Sequence, residues 1–297
     1  MTGGMGFIGR YTIEELRRRG HRPLALSRMN QQEHGVDFIK GNLSNIAKWK
    51  GRLKKFKPEA AVHLAWEGIP DFSYANCTKN LEGGLALFSA LAEAGCKKIV
   101  AAGSVFEYGS RVGRVREEMQ ITPVSAFTAA KHALHLMGEE LAKEKGMDFI
   151  WLRLFNPYGG GQRAGSLIPY ILRCITEGTP LTLKYPLAQG DFIYAGDVAR
   201  AIADAVARGN GYATYNVGSG HLTPVRDIAK MICEGMGTSK KYYEDFARTA
   251  RGKLLGAPYA EIKNVRKGIG WRPTVDIKTG IKKTVVEFKK QQPRVKS

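Results

Sequence analysis

The chain is short of acidic side chains. Its 297 residues carry 46 Lys and Arg against 27 Asp and Glu, a formal net charge of +19. Such an imbalance draws a protein toward nucleic acid, anionic lipid or an anionic substrate. The basic residues gather into a block only near the end, at Lys282-Lys283 and from Lys289 to Lys296. They are not interleaved with aromatics as on a base-stacking platform, so a nucleic-acid partner is not expected. A soluble basic surface is the plain reading, and attraction of phosphate into a cleft is the functional one. No run of about eighteen apolar residues occurs, which argues against a membrane-spanning helix and a membrane partner. No secretory signal stands at the start. Cysteine is sparse: Cys77, Cys96, Cys174 and Cys233 are too scattered for metal-type spacing, and a reduced, cytoplasmic setting is expected. Repeats and low-complexity tracts are missing. The hydrophobic fraction, 43%, is that of a globular protein. The length suits one large α/β unit, or a domain with a small appendage.

What is present begins at once. Thr2-Gly3-Gly4-Met5-Gly6-Phe7-Ile8-Gly9 has the spacing G-x-x-G-x-x-G through Gly3, Gly6 and Gly9. The first glycine allows a tight turn, the second lets the backbone approach a pyrophosphate, and the third lets the next helix pack against a sheet. Ile13, Leu16 and Arg17 predict that helix, with Gly20 ending it. Its N-terminus offers free N–H groups and the positive end of the helix dipole. A β-type run, Pro23-Leu24-Ala25-Leu26-Ser27, follows. A strand should also precede the turn, normally the central, doubly buried one, yet only Met1 stands before Thr2. Truncation, a start assigned too late, or another segment in the slot each account for that.

Strand-like and helix-like segments then alternate. Ala61–Ala65, Lys98–Ala102 and Phe149–Leu152 read as buried strands. Asn80–Ala94, carrying Leu81, Leu85, Phe88 and Leu91, and Phe127–Lys145, carrying Leu134, Met137 and Leu141, read as helices stopped by Gly95 and Gly146. This alternation implies a doubly wound parallel sheet of the α/β class, a Rossmann-type fold lacking its first strand. Later segments are a glycine-rich loop at 159–165, a helix over Leu167–Glu177, a return to the sheet at Asp191–Tyr194, a helix over Asp197–Ala207 and a strand at Tyr215–Val217. The stretch 240–270 is mixed and basic. Residues 1–160 and 190–235 are expected to form the dinucleotide-binding domain. Residues 161–189 and 236–288 are expected to form a smaller substrate lobe, with the ligand between them. The tail 289–297 is expected to be mobile.

Several motifs recur in a fixed order: the glycine turn, His63-Leu64-Ala65, Asn80, Gly103-Ser104-Val105-Phe106-Glu107-Tyr108-Gly109 and Lys131. They continue with Arg153-Leu154-Phe155-Asn156-Pro157-Tyr158-Gly159, Gln189-Gly190-Asp191-Phe192-Ile193-Tyr194, Tyr215-Asn216-Val217-Gly218-Ser219-Gly220 and Gly270-Trp271-Arg272-Pro273. In this the chain resembles the extended short-chain dehydrogenase/reductases, in particular the NAD(P)-dependent nucleotide-sugar epimerases and reductases. The Gly-Ser-x-x-Glu-Tyr-Gly form looks like the deoxyhexose branch. The resemblance implies reduction or epimerisation of a nucleotide-activated hexose through a 4-keto centre, and a homodimer built on the helices near 80–94 and 127–145. It also implies catalysis by a Ser or Thr, a Tyr and a Lys. The serine holds the reacting oxygen and the tyrosine exchanges its proton. The lysine holds the nicotinamide ribose and lowers the phenol's pKa by its charge. Ser104 and Lys131 match.

The tyrosine is missing. The Tyr-x-x-x-Lys spacing sets both side chains on one helix face, and here it reads Phe127 to Lys131. Phe127 has no proton to exchange. It is a laboratory substitution, or another acid serves (Tyr108, Glu107 or a water), or the protein binds without much catalysis. Two further departures accompany it. Gly190 stands where the resemblance expects an arginine for the pyrophosphate, and Gly196 where Asp is common. With the absent strand, these losses argue for natural divergence.

The resemblance assigns coenzyme contacts to Gly3, Gly6, Phe7, Ile8, Gly9, Ser27, Arg28, Asn42, Leu43, Leu64, Ala65, Asn80 and Lys131. Substrate contacts fall to Ser104, Glu107, Asn156 and Arg251. An acid after the second strand would favour NAD. Ser27-Arg28 suits a 2′-phosphate instead, so NADP is expected, with NAD possible. Asn42 replaces an Asp that meets adenine. His63, inside an apolar strand, reads as a core histidine. His132 and His135 lie one turn apart without an evident third ligand, so no metal site is expected.

Overall fold

The computed structural model describes residues 1–28, 36–249 and 252–291. Strands β1 (Leu24–Ser27), β2 (Asp37–Lys40), β3 (Ala60–His63), β4 (Lys98–Ser104) and β6 (Asp148–Leu154), with the last strand Tyr212–Val217, form one parallel sheet. The short β5 (Gly113–Val115) instead pairs in parallel with Pro258–Ala260. The main sheet is apolar on both faces. Ile99, Ala101, Phe149 and Trp151 point one way, toward helices α3 (Tyr74–Glu93) and α4 (Ala126–Lys145). Val100, Ile150 and Leu152 point the other way, toward α1 (Phe7–Arg18) and α6 (Ala195–Arg208). Alternate residues of a strand face opposite sides, which explains why these strands read as unbroken apolar runs.

The slot of the absent strand is filled by very little. Thr2 alone bridges Leu26 on one side and His63 on the other. Its amide donates to Val62 O at 2.9 Å, and its carbonyl accepts from Leu64 N at 3.3 Å. Below Met1 a groove of about 900 Å³ opens between β1 and β3, with Leu16, Leu24, Leu53, Val62 and Leu91 among its walls. The Met1 amine is buried there and donates to Leu24 O. Burial pushes its pKa down to about 6.

Local chemistry sets most boundaries. α1 buries Ile13 and Leu16 with Thr12, while Arg17, expected on that face, is exposed. α3 starts at Tyr74 rather than Asn80, because the Ser73 side chain accepts from Asn76 N and caps it. α4 has a capping box of Ser125 and Thr128 and ends at Gly146, whose φ of 61° suits glycine. Asp191–Tyr194 does not return to the main sheet. Ile193–Tyr194 pairs with Pro157–Tyr158 in a small sheet of its own.

The apolar cores divide differently from the expected lobes. α5 (Leu167–Glu177), α7 (Val225–Met236), α8 (Lys240–Thr249) and α10 (Ile277–Gln291) share one core through Ile171, Ile228, Ile232, Phe246, Ile281 and Val285. α7 thus joins the smaller unit. α9 (Lys263–Ile269) and Trp271 pack against the larger one through Val265 and Ile269. The expected tail is helical as far as Gln291, and Lys289 Nζ donates to Gly235 O. Its remaining residues, 292–297, lie outside the described ones.

Candidate active site

A cleft of about 630 Å³ opens over the glycine turn. Gly3, Gly6, Phe7, Ile8, Gly9, Ser27, Arg28, Asn42, Leu43, Leu64 and Ala65 all line it. Gly3 has φ +68°, and a Cβ there would lie 2.8 Å from Ala65 N. A Cβ on Gly9 would lie 2.0 Å from Gly3 O, so its glycine is demanded by the turn's own carbonyls rather than by the sheet. Gly6 is the N-cap of α1 and has no side-chain cap. The amides of the first turn therefore remain free for an anion. Arg28 is exposed at the cleft edge. Trp66, Glu67, Gly68 and Ile69 also line the cleft and were not foreseen. Their signal was position, since they continue the loop after His63-Leu64-Ala65.

One expected coenzyme contact, Asn80, is committed to internal partners. Asn80 is buried and absent from the cleft lining. Its amide donates to Glu67 O and Asn76 O, and its Oδ1 accepts from Glu67 N at 2.7 Å. It shapes the 64–69 loop and has no donor left for a ligand. His63 Nδ1 meets Thr2 Oγ1 at 2.7 Å, and burial pushes its pKa down to about 3, so it is a neutral core histidine.

Ser104 ends β4. Its Oγ accepts from Phe106 N at 3.2 Å, which leaves the hydroxyl proton free to donate outward. Lys131 is buried on α4. Its Nζ donates to Ala102 O at 2.7 Å and lies 4.6 Å from the centre of the Trp66 ring. No carboxylate of the described residues stands within ion-pair range of it. Burial pushes its pKa down to about 8, with Glu107 pulling weakly the other way. One helical turn earlier, Phe127 packs at 5.0 Å on Trp66 and 4.8 Å on Phe72. The place of the usual phenol is an apolar aromatic cluster. The Trp66 indole N–H is buried there without a partner among the described residues.

Glu107, an expected substrate contact, is committed to internal partners. Its side chain is wholly buried, accepting from Ser104 N at 2.7 Å, Trp151 Nε1 at 3.1 Å and Arg153 Nε at 3.1 Å. It orients Ser104 instead. Tyr108 is equally buried. Its hydroxyl donates to Asn216 Oδ1 at 2.7 Å and accepts from Arg153. Neither can stand in for the missing phenol. Asn156 is half-buried with φ +32°, and its amide donates to Asp191 O. Gly190 is buried and pairs with Thr223, and a Cβ there would lie 3.1 Å from Asn156 Nδ2. Arg251 lies outside the described residues. The structure does supply a third group near the histidines: ligand atoms of Glu107, His132 and His135 lie within 4.8 Å of one another. Both Glu107 oxygens are already spent, and the Arg153 guanidinium beside them repels a cation.

Residues 1–218 match the family described as NAD dependent epimerase/dehydratase. The chain belongs to that family. A dTDP-4-dehydro-6-deoxyglucose reductase of Escherichia coli is 26% identical, over 96% of this chain and 95% of that protein. A UDP-glucuronate 4-epimerase of Thermodesulfobacterium geofontis is 25% identical, over 100% and 98%. Among solved structures, the UDP-glucose 4-epimerase of Thermus thermophilus in complex with NAD matches with a TM-score of 0.80 and 25% identity, covering 98% of each chain. That of Thermotoga maritima matches with a TM-score of 0.83, 22% identity and 97% of each. In this member of the family, then, the parallel sheet and the glycine turn are in place, and Phe127 stands one helical turn before Lys131.

Proposed function

We propose that the protein reduces or epimerises a nucleotide-activated hexose or deoxyhexose at a 4-keto centre, using NAD(P). One observation carries the reading. Trp66 lines the dinucleotide cleft and its ring centre lies 4.6 Å from Lys131 Nζ, which supports a coenzyme cradle reaching as far as Lys131. The free first-turn amides and the Gly6 approach fit a pyrophosphate. A nicotinamide bound there supplies hydride donation or acceptance at the sugar carbon. Ser104 holds the reacting oxygen through its unused proton, and Lys131 brings positive charge to it. Charge that develops on that oxygen is stabilised by fixed donors in a water-poor site.

Arg28 supports NADP over NAD, because a guanidinium suits a 2′-phosphate. A homodimer through α3 and α4 belongs to the same reading, and Leu136 and Met137 are exposed on α4. So does a cytoplasmic setting: no helix of the described residues is long and apolar enough to cross a membrane. The second reading is a weakly catalytic binder of coenzyme or sugar nucleotide. Its support is the apolar packing of Phe127 where a proton must be exchanged.

Calorimetry with NADPH and NADH, then turnover of dTDP-4-dehydro-6-deoxyglucose and of UDP-glucose, tests the proposal. NADPH should bind more tightly than NADH, and Arg28→Asp should reverse that order. Phe127→Tyr should raise turnover by about 10²–10⁴-fold if only the acid is missing. Failure to take up either coenzyme sinks the whole reading.

A further inference from the structure

Resting on that reading, we infer that the Trp66 side chain is a gate between the coenzyme cleft and Lys131. The reading assigns Lys131 to the nicotinamide ribose. Yet its side chain is buried, and it takes no part in the lining of the cleft. Trp66 does line the cleft, and the centre of its ring lies 4.6 Å from Lys131 Nζ. The indole thus forms the cleft wall with the ammonium against its face. A ribose laid along that wall meets the ring before it meets the amine.

Two contacts hold the ring in place. The ammonium is attracted to its π face. Phe127 meets it edge-to-face, with 5.0 Å between centres and 82° between planes. Phe72 backs Phe127 at 4.8 Å. Phe127 therefore does more than lack a proton: its bare ring gives the indole an apolar rest. One cost opposes these contacts. The Trp66 indole N–H is buried with no acceptor among the described residues. A buried donor left unpaired has lost its water without replacement, and turning the ring outward recovers that loss. Two positions of one ring are thereby set in competition, and a ligand that needs the outward one shifts the population toward it.

The hinge is the side chain rather than the loop. Thr2 Oγ1 accepts from Ala65 N at 3.4 Å. Asn80 accepts from Glu67 N and donates to Glu67 O. Asn76 donates to Glu67 O and to Asp71 O. The main chain is fixed on both sides of Trp66, so the ring leaves by rotation about its own χ bonds. Asn80, buried away from the cleft, is in this way a positioning residue for the gate.

Acetylation of Lys131 by N-hydroxysuccinimidyl acetate, followed by peptide mass spectrometry, reads the opening without any ligand. In the unaltered protein Lys131 should react far more slowly than Lys54, whose side chain is 49% exposed. Trp66→Ala, by raising the open fraction toward one, should speed Lys131 by about ten-fold or more. Trp66→Phe keeps a ring over the amine and should leave the rate within about three-fold. Lys98, at the other end of β4 with a side chain 15% exposed, should not change, which separates an opened gate from a loosened fold. Trp66→Leu gives the same comparison where the alanine variant folds poorly. The apparent Kd of a ligand that needs the open state is its intrinsic Kd divided by the open fraction. Calorimetry should therefore show Trp66→Ala tightening NADPH by a factor close to its gain in labelling rate. Labelling as slow in Trp66→Ala as in the unaltered protein overturns the gate, because another group then covers the amine. Labelling of Lys131 as fast as Lys54 in the unaltered protein overturns it too. Faster labelling with NADPH affinity unchanged overturns the link between the gate and the coenzyme. Faster labelling with neither NADPH nor NADH taken up by any variant overturns the coenzyme reading beneath the inference, and the role of the gate with it.

Discussion

At the scale of single residues, one ion pair lies wholly buried behind Ser104. Arg153 and Glu107 face each other with side chains 3% and 0% exposed. Breaking a buried pair by removing one member costs about 3–5 kcal/mol, because the other charge is left uncompensated. Arg153→Met should therefore destabilise the fold strongly in urea melts. The double variant Glu107→Gln/Arg153→Met should recover part of that loss, since no lone charge remains. Equal stability of the single and double variants would show that the pair is not coupled. Gly9→Ala is the sharper backbone test. Its new Cβ would collide with Gly3 O, so the turn must open. Calorimetry should show coenzyme uptake lost, with a melting temperature several degrees lower. Ser104 and Lys131 stand out in the sequence because each matches one residue type at one place in an ordered motif. Glu107 was misread. Its motif sits on a turn, where exposure is expected, and the partners that bury it arrive from β6, far along the chain. Asn80 failed for the same reason: its hydrogen-bond partners belong to a loop whose path the sequence does not display.

At the scale of elements, the parallel sheet was readable because doubly buried strands leave unbroken apolar runs. The short pairs were not. Two or three residues of strand carry no period, and β5 acquires its partner at Pro258–Ala260 only through the tertiary fold. α7 did leave a helical signal in Val225, Ile228, Ala229 and Ile232, but which core they enter depends on α5 and α10. The thin place in the sheet is between β1 and β3. In a parallel strand, alternate residues turn both main-chain groups to the same neighbour. Val62 O and Leu64 N turn to Thr2, so Val62 N and Ala60 O turn to the groove beneath it. Four or five apolar residues fused ahead of Met1 would pair with those groups and fill a space walled by Leu24, Leu53 and Leu91. Such an extension should raise the melting temperature by several degrees, about 1–2 kcal/mol or more of added burial. An extension of equal length carrying Asp at alternate positions should give no gain. Equal melting temperatures for the two would mean that the groove does not accept a strand.

At the scale of the whole molecule, charge and burial both set the dependence of stability on pH. His63 and His135 are held neutral by burial, each with its pKa pushed down to about 3 from an ordinary 6.5. Below 6.5 the unfolded chain takes up protons that the fold refuses, so stability falls as pH drops from 6.5 toward 3. Glu15 adds to the same limb. Its hydrogen bonds to Arg18 and Arg19 hold its carboxyl near 2, and that contribution fades as pH falls from 4.5 to 2. Arg18 is largely in solvent, which screens its part of this contribution. Lys131 acts at the other end. With its pKa at about 8 in the fold and 10.5 outside it, the unfolded chain binds more protons across that window, and stability rises with pH. The net charge of +19 points the same way, since the self-repulsion it carries eases as lysines titrate. Melting temperatures measured from pH 4 to pH 9 should therefore climb steadily rather than peak near neutrality. His135→Phe should flatten the acid limb. A phenyl ring can keep the stacking on Phe149 and Trp151, while the proton-linked penalty disappears. A melting temperature unchanged between pH 7 and pH 4.5 would mean that these imidazoles take up protons within the fold. The packing of α4 on the sheet, where His135 stacks on Trp151, would then be looser than the structure shows.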